Sequence, residues 1–232
     1  MLVKNWMSKD VITVNVDDSM QHAINMMKEN SIRMLPVLME GKLVGVLTDR
    51  DLKRASPSDA TTLDVHELLY LISKIKIKDI MKKKPVTVPD NFTVEETADV
   101  LLKNKISGVP VVGEQGQLVG VITQHDLFKA LISLTGFGQR GVQFAFRLED
   151  RPGSIKEVTD VIRAYGGRLA SIMSSLEHAP EGYRNVHVVQ HGSFAAAQGR
   201  IARQSSHAVL RGPSRESAGD LCRTLKPLSA VG

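Results

Sequence analysis

Along the first 135 residues the hydrophobic positions change period in a fixed order, and the whole order is then run again. Residues 11–16 form a short β-like run; Met20, Ala23, Ile24 and Met27 then recur at three- and four-residue steps; two short apolar runs follow at 35–38 and 43–47, parted by Met39-Glu-Gly-Lys42. The second pass has residues 85–88, then Val94, Ala98, Leu101 and Leu102, then 109–112 and 118–122. The three-to-four spacing predicts a helix with one face buried, and the paired short runs predict a β-hairpin. Asp17, Asp18 and Ser19 in the first pass, and Asp90, Asn91 and Thr93 in the second, are residue types that cap a helix start. A second helix is expected from Asp51 and from Asp126. Each pass therefore reads β-α-β-β-α.

The residues repeat as well as the pattern. Residues 7–55 and 81–130 align at an offset of 74 from Met7/Met81 through Thr13/Thr87 and Ile32/Ile106 to Pro36/Pro110, and at 75 after one extra residue in the 114–116 loop. Self-similarity of this length predicts two copies of one supersecondary unit. The joining segment, 56–77, carries Leu63, Leu68, Leu69 and Ile72 on a partly helical, apolar face, so it reads as a packed connector. Met26, Met27, Met34 and Met39 are read as core filler rather than as a soft binding groove.

Both copies end their hairpin on one pattern: Gly45-Val-Leu-Thr48-Asp-Arg-Asp51 and Gly120-Val-Ile-Thr123-Gln-His-Asp126. A hydroxyl and a carboxylate three residues apart stand where strand becomes helix. There the first helical N–H groups are unpaired and can receive phosphate. The hydroxyl can donate to a phosphate or sugar oxygen, and an ionised carboxylate can accept from two vicinal hydroxyls. Asp51 and Asp126 could also be plain helix caps; recurrence in the same frame favours a ligand site.

In these residues the chain resembles a tandem pair of cystathionine-β-synthase (CBS) domains, a Bateman module, over roughly residues 1–135. The resemblance implies an α/β (α+β) fold in which two βαββα units pack as a pseudo-twofold pair around two clefts. It also implies ligands that contain adenosine: AMP, ADP, ATP or S-adenosylmethionine. Asp51 and Asp126 would then hold ribose, and Thr48 and Thr123 the phosphate or ribose side. Arg33, Arg50 and His125 are the nearest groups for phosphate charge. The second copy has Ser107 and His125 in place of the two arginines, so the Asp51 cleft is expected to bind phosphate better.

A third module follows. Gly136-Phe-Gly-Gln-Arg-Gly141 formally matches GxGxxG, but it follows a helix and precedes a strand, the reverse of a dinucleotide fingerprint, and reads as a linker. Residues 142–148 alternate as a half-buried strand, and a helix is expected over 154–165, stopped by Gly166 and Gly167. Between them, Asp150, Pro152, Gly153, Ser154 and Ile155 resemble the first loop of an ACT domain, a ferredoxin-like βαββαβ module. That implies amino-acid binding at these five residues, or dimerisation alone. Together with the connector this is similar to acetoin-utilisation AcuB-like proteins. A strand at 185–189 is expected, but the pattern then stops, so the ACT-like part reads as incomplete. His187 and His191 are too far apart on one strand to share a metal. Residues 191–232, rich in Ala, Gly, Ser and Arg, read as a low-order or aberrant tail. The expected division is thus 1–55 and 78–134 for the two repeats, 56–77 for the connector, 135–141 for a linker, 142–190 for the ACT-like part and 191–232 for the tail.

Charge changes the picture little. The net +5 lies mainly in residues 191–232, with six basic residues against two acidic; the first 190 carry 24 against 23. Lys82, Lys83 and Lys84 form a short basic run best read as solvated surface, so nucleic acid is not an expected partner. Cys222 is the single cysteine. No apolar run reaches the roughly 18 residues of a membrane span, and the expected location is cytoplasmic. No catalytic or zinc-binding constellation stands out, and no cofactor is expected. The resulting expectation is a non-enzymatic, homodimeric sensor of adenine nucleotides acting on an unidentified regulated protein, with a scaffold subunit whose clefts are vestigial as the alternative.

Overall fold

The computed structural model describes residues 1–56, 64–136, 141–191 and 209–211, and the chain divides into two compact units, Met1–Ala130 and Leu131–Gly232. In the first unit, repeat one holds β1 (Val14–Asn15), α1 (Met20–Glu29), β2 (Met34–Met39), β3 (Lys42–Thr48) and α2 (Asp49–Ala55). The connector forms α3 (Val65–Lys74) and the single turn α4 (Ile77–Ile80), then β4 (Lys82–Lys83). Repeat two holds β5 (Val88–Pro89), α5 (Val94–Asn104), β6 (Gly108–Val112), β7 (Leu118–Thr123) and α6 (Gln124–Thr135).

Both hairpins form as expected: β2 pairs antiparallel with β3, and β6 with β7. The leading strands shrink to two residues each, because only Val14–Asn15 and Val88–Pro89 reach the hairpin edge, in parallel register. Ser19 and Thr93 are the caps the helices use, accepting from the N–H of His22 at 3.2 Å and of Glu96 at 3.1 Å. Met20, Ala23 and Met27 are buried on α1 as their spacing predicts. On α5 the buried line is Val94, Thr97 and Leu101, and Leu102 stands 73% exposed. Thr97 takes the core position because its hydroxyl is satisfied by the Thr93 carbonyl at 2.9 Å.

The two repeats exchange their leading segments. Val3 is fully buried in the core of repeat two, with Val88, Leu101, Val109 and Ile122; its N–H donates to the Phe92 carbonyl at 2.8 Å, and Ser8 bridges to Val121. In the matching place Ile77 is fully buried with Met20, Leu35 and Leu47 of repeat one; its N–H donates to Asp18, and β4 pairs with β3. Each aliphatic anchor removes side-chain area worth about 1.5–3 kcal/mol from water. Residues 1–8 thus enter the core of repeat two, and Ile77, the last residue of the expected connector, enters that of repeat one with Ile80 and Met81 packed beside it. Ile72 of α3 is buried in the core of repeat one, as a packed connector requires. Leu63 lies outside the described residues. Among the four methionines read as filler, Met27 is buried and Met26 packs against the core, but Met39 is half exposed and Met34 only half-buried.

The second unit has β8 (Gly141–Glu149), α7 (Ser154–Ala164), β9 (Arg168–Ser175), β10 (Tyr183–His191) and β11 (Val209–Arg211), with strand order β11-β8-β10-β9 and every neighbouring pair antiparallel. Phe144, Phe146, Ile162, Val186 and Val188 form its core. The reading that nothing after residue 190 continues the sheet fails at Val209–Arg211, which pairs with Gln143–Ala145. Three residues are too few to carry a periodic signal, and only the exposed edge of β8 specifies them. Residues 192–208 and 212–232, with Cys222, and residues 137–140 of the linker lie outside the described residues. Among the described residues, no helix is long and apolar enough to cross a membrane.

Candidate functional site

Thr48 closes β3 and is the cap residue of α2, which begins at Asp49, two residues before the expected start. Asp51 is therefore the third helical residue rather than the cap. Its Oδ2 accepts from the Thr48 N–H at 3.0 Å and from the Thr48 hydroxyl at 2.5 Å, while the Asp51 N–H donates to the threonine oxygen at 3.4 Å. This reciprocal capping box satisfies two groups that would otherwise be orphaned at the helix start. Repeat two reproduces the carboxylate half of this arrangement: Asp126 Oδ2 accepts from the Thr123 N–H at 2.9 Å and from its hydroxyl at 2.7 Å. These bonds use Oδ2 in both copies, and Oδ1 takes no part in them. Threonine and aspartate are thus brought together in both copies, as expected.

A contact that the sequence does not announce joins a second loop to each turn. The Asp49 N–H donates to the Arg33 carbonyl at 3.1 Å, and the Gln124 N–H to the Ser107 carbonyl at 2.9 Å. Residue 33 in one copy and 107 in the other are thereby held at the Thr-x-x-Asp turn. Arg33 and Arg50 are exposed, and neither guanidinium enters an ion pair among the described residues. At the second turn His125 is exposed, and Asp126 is only 8% exposed, with Lys129 Nζ 3.9 Å from its Oδ1. Asp51 is half-buried. The two turns are alike in backbone and unlike in charge and cover.

In the second unit the five singled-out residues fall at one loop and helix start. The Asp150 carboxylate receives Arg184, Nε at 2.7 Å and Nη2 at 2.5 Å. Pro152 is exposed, Gly153 takes φ 91° to start α7, Ser154 is buried and Ile155 packs on the core. Arg151 bonds Glu157 through both terminal nitrogens at 2.8 Å and Glu149 through Nε at 3.1 Å. Those bonds hold the Glu157 carboxyl below, and the Arg151 guanidinium above, their ordinary ranges. Arg184 was not foreseeable, since it stands 34 residues from Asp150. His187 and His191 lie in β10, and no group of three or more His, Cys, Asp or Glu side chains able to hold a metal occurs among the described residues.

A duplicated βαββα unit with exchanged leading segments and a Thr-x-x-Asp turn in each copy defines the class: a tandem α/β repeat pair. The model of the CBS domain matches residues 3–58 and 77–133. A CBS domain-containing protein of Dictyostelium discoideum is 37% identical over 134 residues, 57% of this chain and 92% of that one. The chain belongs to the CBS domain family. Inosine-5'-monophosphate dehydrogenase of Korarchaeum cryptofilum is 35% identical over 125 residues, but these are 54% of this chain and 23% of that enzyme. A CBS domain pair solved with 5'-methylthioadenosine and S-adenosyl-L-methionine is 31% identical, aligns with 56% of this chain and 99% of its own, and has a TM-score of 0.47.

Proposed function

We propose that the protein is a regulatory sensor that binds adenosine-containing ligands, AMP, ADP, ATP or S-adenosylmethionine, in its CBS pair at a Thr-x-x-Asp turn. The observation that carries this reading is the recurrence of one geometry: a threonine hydroxyl bonded to an aspartate, at a strand-to-helix turn joined to the residue 33 or 107 loop. The aspartate would take the ribose hydroxyls, and Arg33 and Arg50 would neutralise phosphate at the first turn. Ligand binding would bias the packing of the exchanged segments and so reach a partner surface by linkage. In this reading the protein is a cytoplasmic homodimer rather than an enzyme, and the regulated partner carries the activity.

The antiparallel β-α-β-β…β order of the second unit supports an ACT-like module, with Asp150, Pro152, Gly153, Ser154 and Ile155 at its ligand loop. A link to acetoin utilisation rests on resemblance alone. One observation favours the scaffold alternative: the Thr48 and Thr123 hydroxyls already donate to Asp51 and Asp126, which gives both pairs a structural duty.

A thermal-unfolding screen against AMP, ADP, ATP, S-adenosylmethionine and a set of amino acids separates these readings. A ligand at 100 times its Kd adds about 2.7 kcal/mol to native stability, a shift of several degrees. A shift with one nucleotide supports the sensor, and a shift with none moves the reading to the scaffold. A response confined to amino acids places sensing in the second unit.

A further inference from the structure

Position 34 in repeat one and position 108 in repeat two are equivalent by the 74-residue offset, yet one is methionine and the other glycine. Each is the cross-strand partner of a site threonine, Met34 of Thr48 and Gly108 of Thr123. The methionine side chain crosses between the repeats: a Cβ built on Gly108 would stand 3.4 Å from Met34 Cε and 3.2 Å from the Thr123 methyl. Met34 Cε and the Thr123 side chain therefore converge on the space that the glycine leaves open. The converse contact cannot exist, because residue 108 has no side chain to send towards Thr48.

We propose that this one-sided contact makes the clefts inequivalent, so that the chain takes one phosphorylated adenosine, at the Thr48–Asp51 turn, while Met34 covers the Thr123–Asp126 turn. Two independent observations agree with that assignment. Asp126 is 8% exposed where Asp51 is half-buried, and the two arginines of the first turn have Ser107 and His125 as counterparts in the second. Half-buried Met34, unneeded as core filler, acquires a role in specificity. The inference rests on the nucleotide-sensing reading above.

Isothermal titration of the full chain with AMP, ADP and ATP in turn tests it. The expected result is one site per chain, weakened at least tenfold in Asp51→Asn. Met34→Ala, a truncation at a half-buried position, should reveal a second site that Asp126→Asn then removes. Two equivalent sites in the unaltered chain, or loss of the single site in Asp126→Asn, would overturn the inequivalence and leave sensing intact. One site in both the unaltered chain and Met34→Ala would overturn the role of Met34. No saturable binding by any nucleotide would overturn the sensing reading and this inference with it.

Discussion

The sulfur of Met81 rests against the α-carbon of Gly45 so closely that a Cβ there would lie 2.7 Å from it, with the Lys82 carbonyl at 3.0 Å. Met7 and Gly120 reproduce the contact: the corresponding distances are 2.4 Å to the Met7 sulfur and 3.1 Å to the Ser8 carbonyl. These are the points where each exchanged segment crosses the other repeat's hairpin. The glycine of the signature is thus explained by a neighbour 36 or 113 residues away in sequence rather than by its own backbone angle. Gly45→Ala and Gly120→Ala should each destabilise the first unit by about 1–3 kcal/mol, as overpacking does. Urea denaturation reads this as a lower midpoint, and an unchanged midpoint in both would refute the packing argument.

Asp51 has two separable duties. Removing its side chain takes away the capping box, whereas asparagine keeps an amide oxygen to accept from Thr48. Thr48→Ala and Asp51→Ala should each cost about 1 kcal/mol of stability, and Asp51→Asn markedly less. All three should weaken nucleotide binding. Should Asp51→Asn bind as the unaltered chain does, the carboxylate is not the ribose ligand.

The exchange is also held by charge. Lys78 Nζ lies 2.8 Å from Asp17 Oδ1, and this bond holds the Asp17 carboxyl below its ordinary value and the Lys78 ammonium above its own. A depressed carboxylate contributes stability above its unfolded value, about 3.9, and loses it as pH falls through the folded value; a raised lysine contributes below about 10.4 and loses it as pH rises through its folded value. The pair therefore contributes between those limits. Both groups are exposed, so the effect is small and weakened by salt. Asp17→Asn should lower the melting temperature slightly at pH 7 and not at pH 2. An equal difference at both would show that the carboxylate charge is irrelevant.

Gln190 is fully buried in the second unit, and neither its amide nitrogen nor its amide oxygen has a hydrogen-bond partner among the described residues. A buried polar group left unpaired costs about 1–3 kcal/mol. Gln190→Met, similar in shape and without that penalty, should raise the stability of this unit by an amount in that range. Gly167 cannot be enlarged in the same place: its Cβ would meet Ile162 Cγ2 at 2.6 Å and the Gln190 Oε1 at 3.0 Å. Chemical denaturation followed by hydrogen exchange of β8 and β10 reports the change. A fall in stability for Gln190→Met would mean that the amide is satisfied in solution.

What the sequence determined by itself was local. Paired short apolar runs and three-to-four spacing placed both hairpins and the helices Met20–Glu29, Val94–Asn104 and Ser154–Ala164, because such patterns record which parts of an element avoid water. Duplication marked Thr48 with Asp51 and Thr123 with Asp126, since a hydroxyl and carboxylate three apart find one another within a single turn. Tertiary structure alone decided what covers each buried face. Val3 and Ile77 look alike in sequence, and nothing near either says that it enters the other repeat. The burial of Asp126, the reach of Met34 to Gly108, the pairing of Arg184 with Asp150 and the strand Val209–Arg211 have the same character. Each depends on contact between segments distant along the chain, and hydrophobic period carries no information about the partner that supplies it.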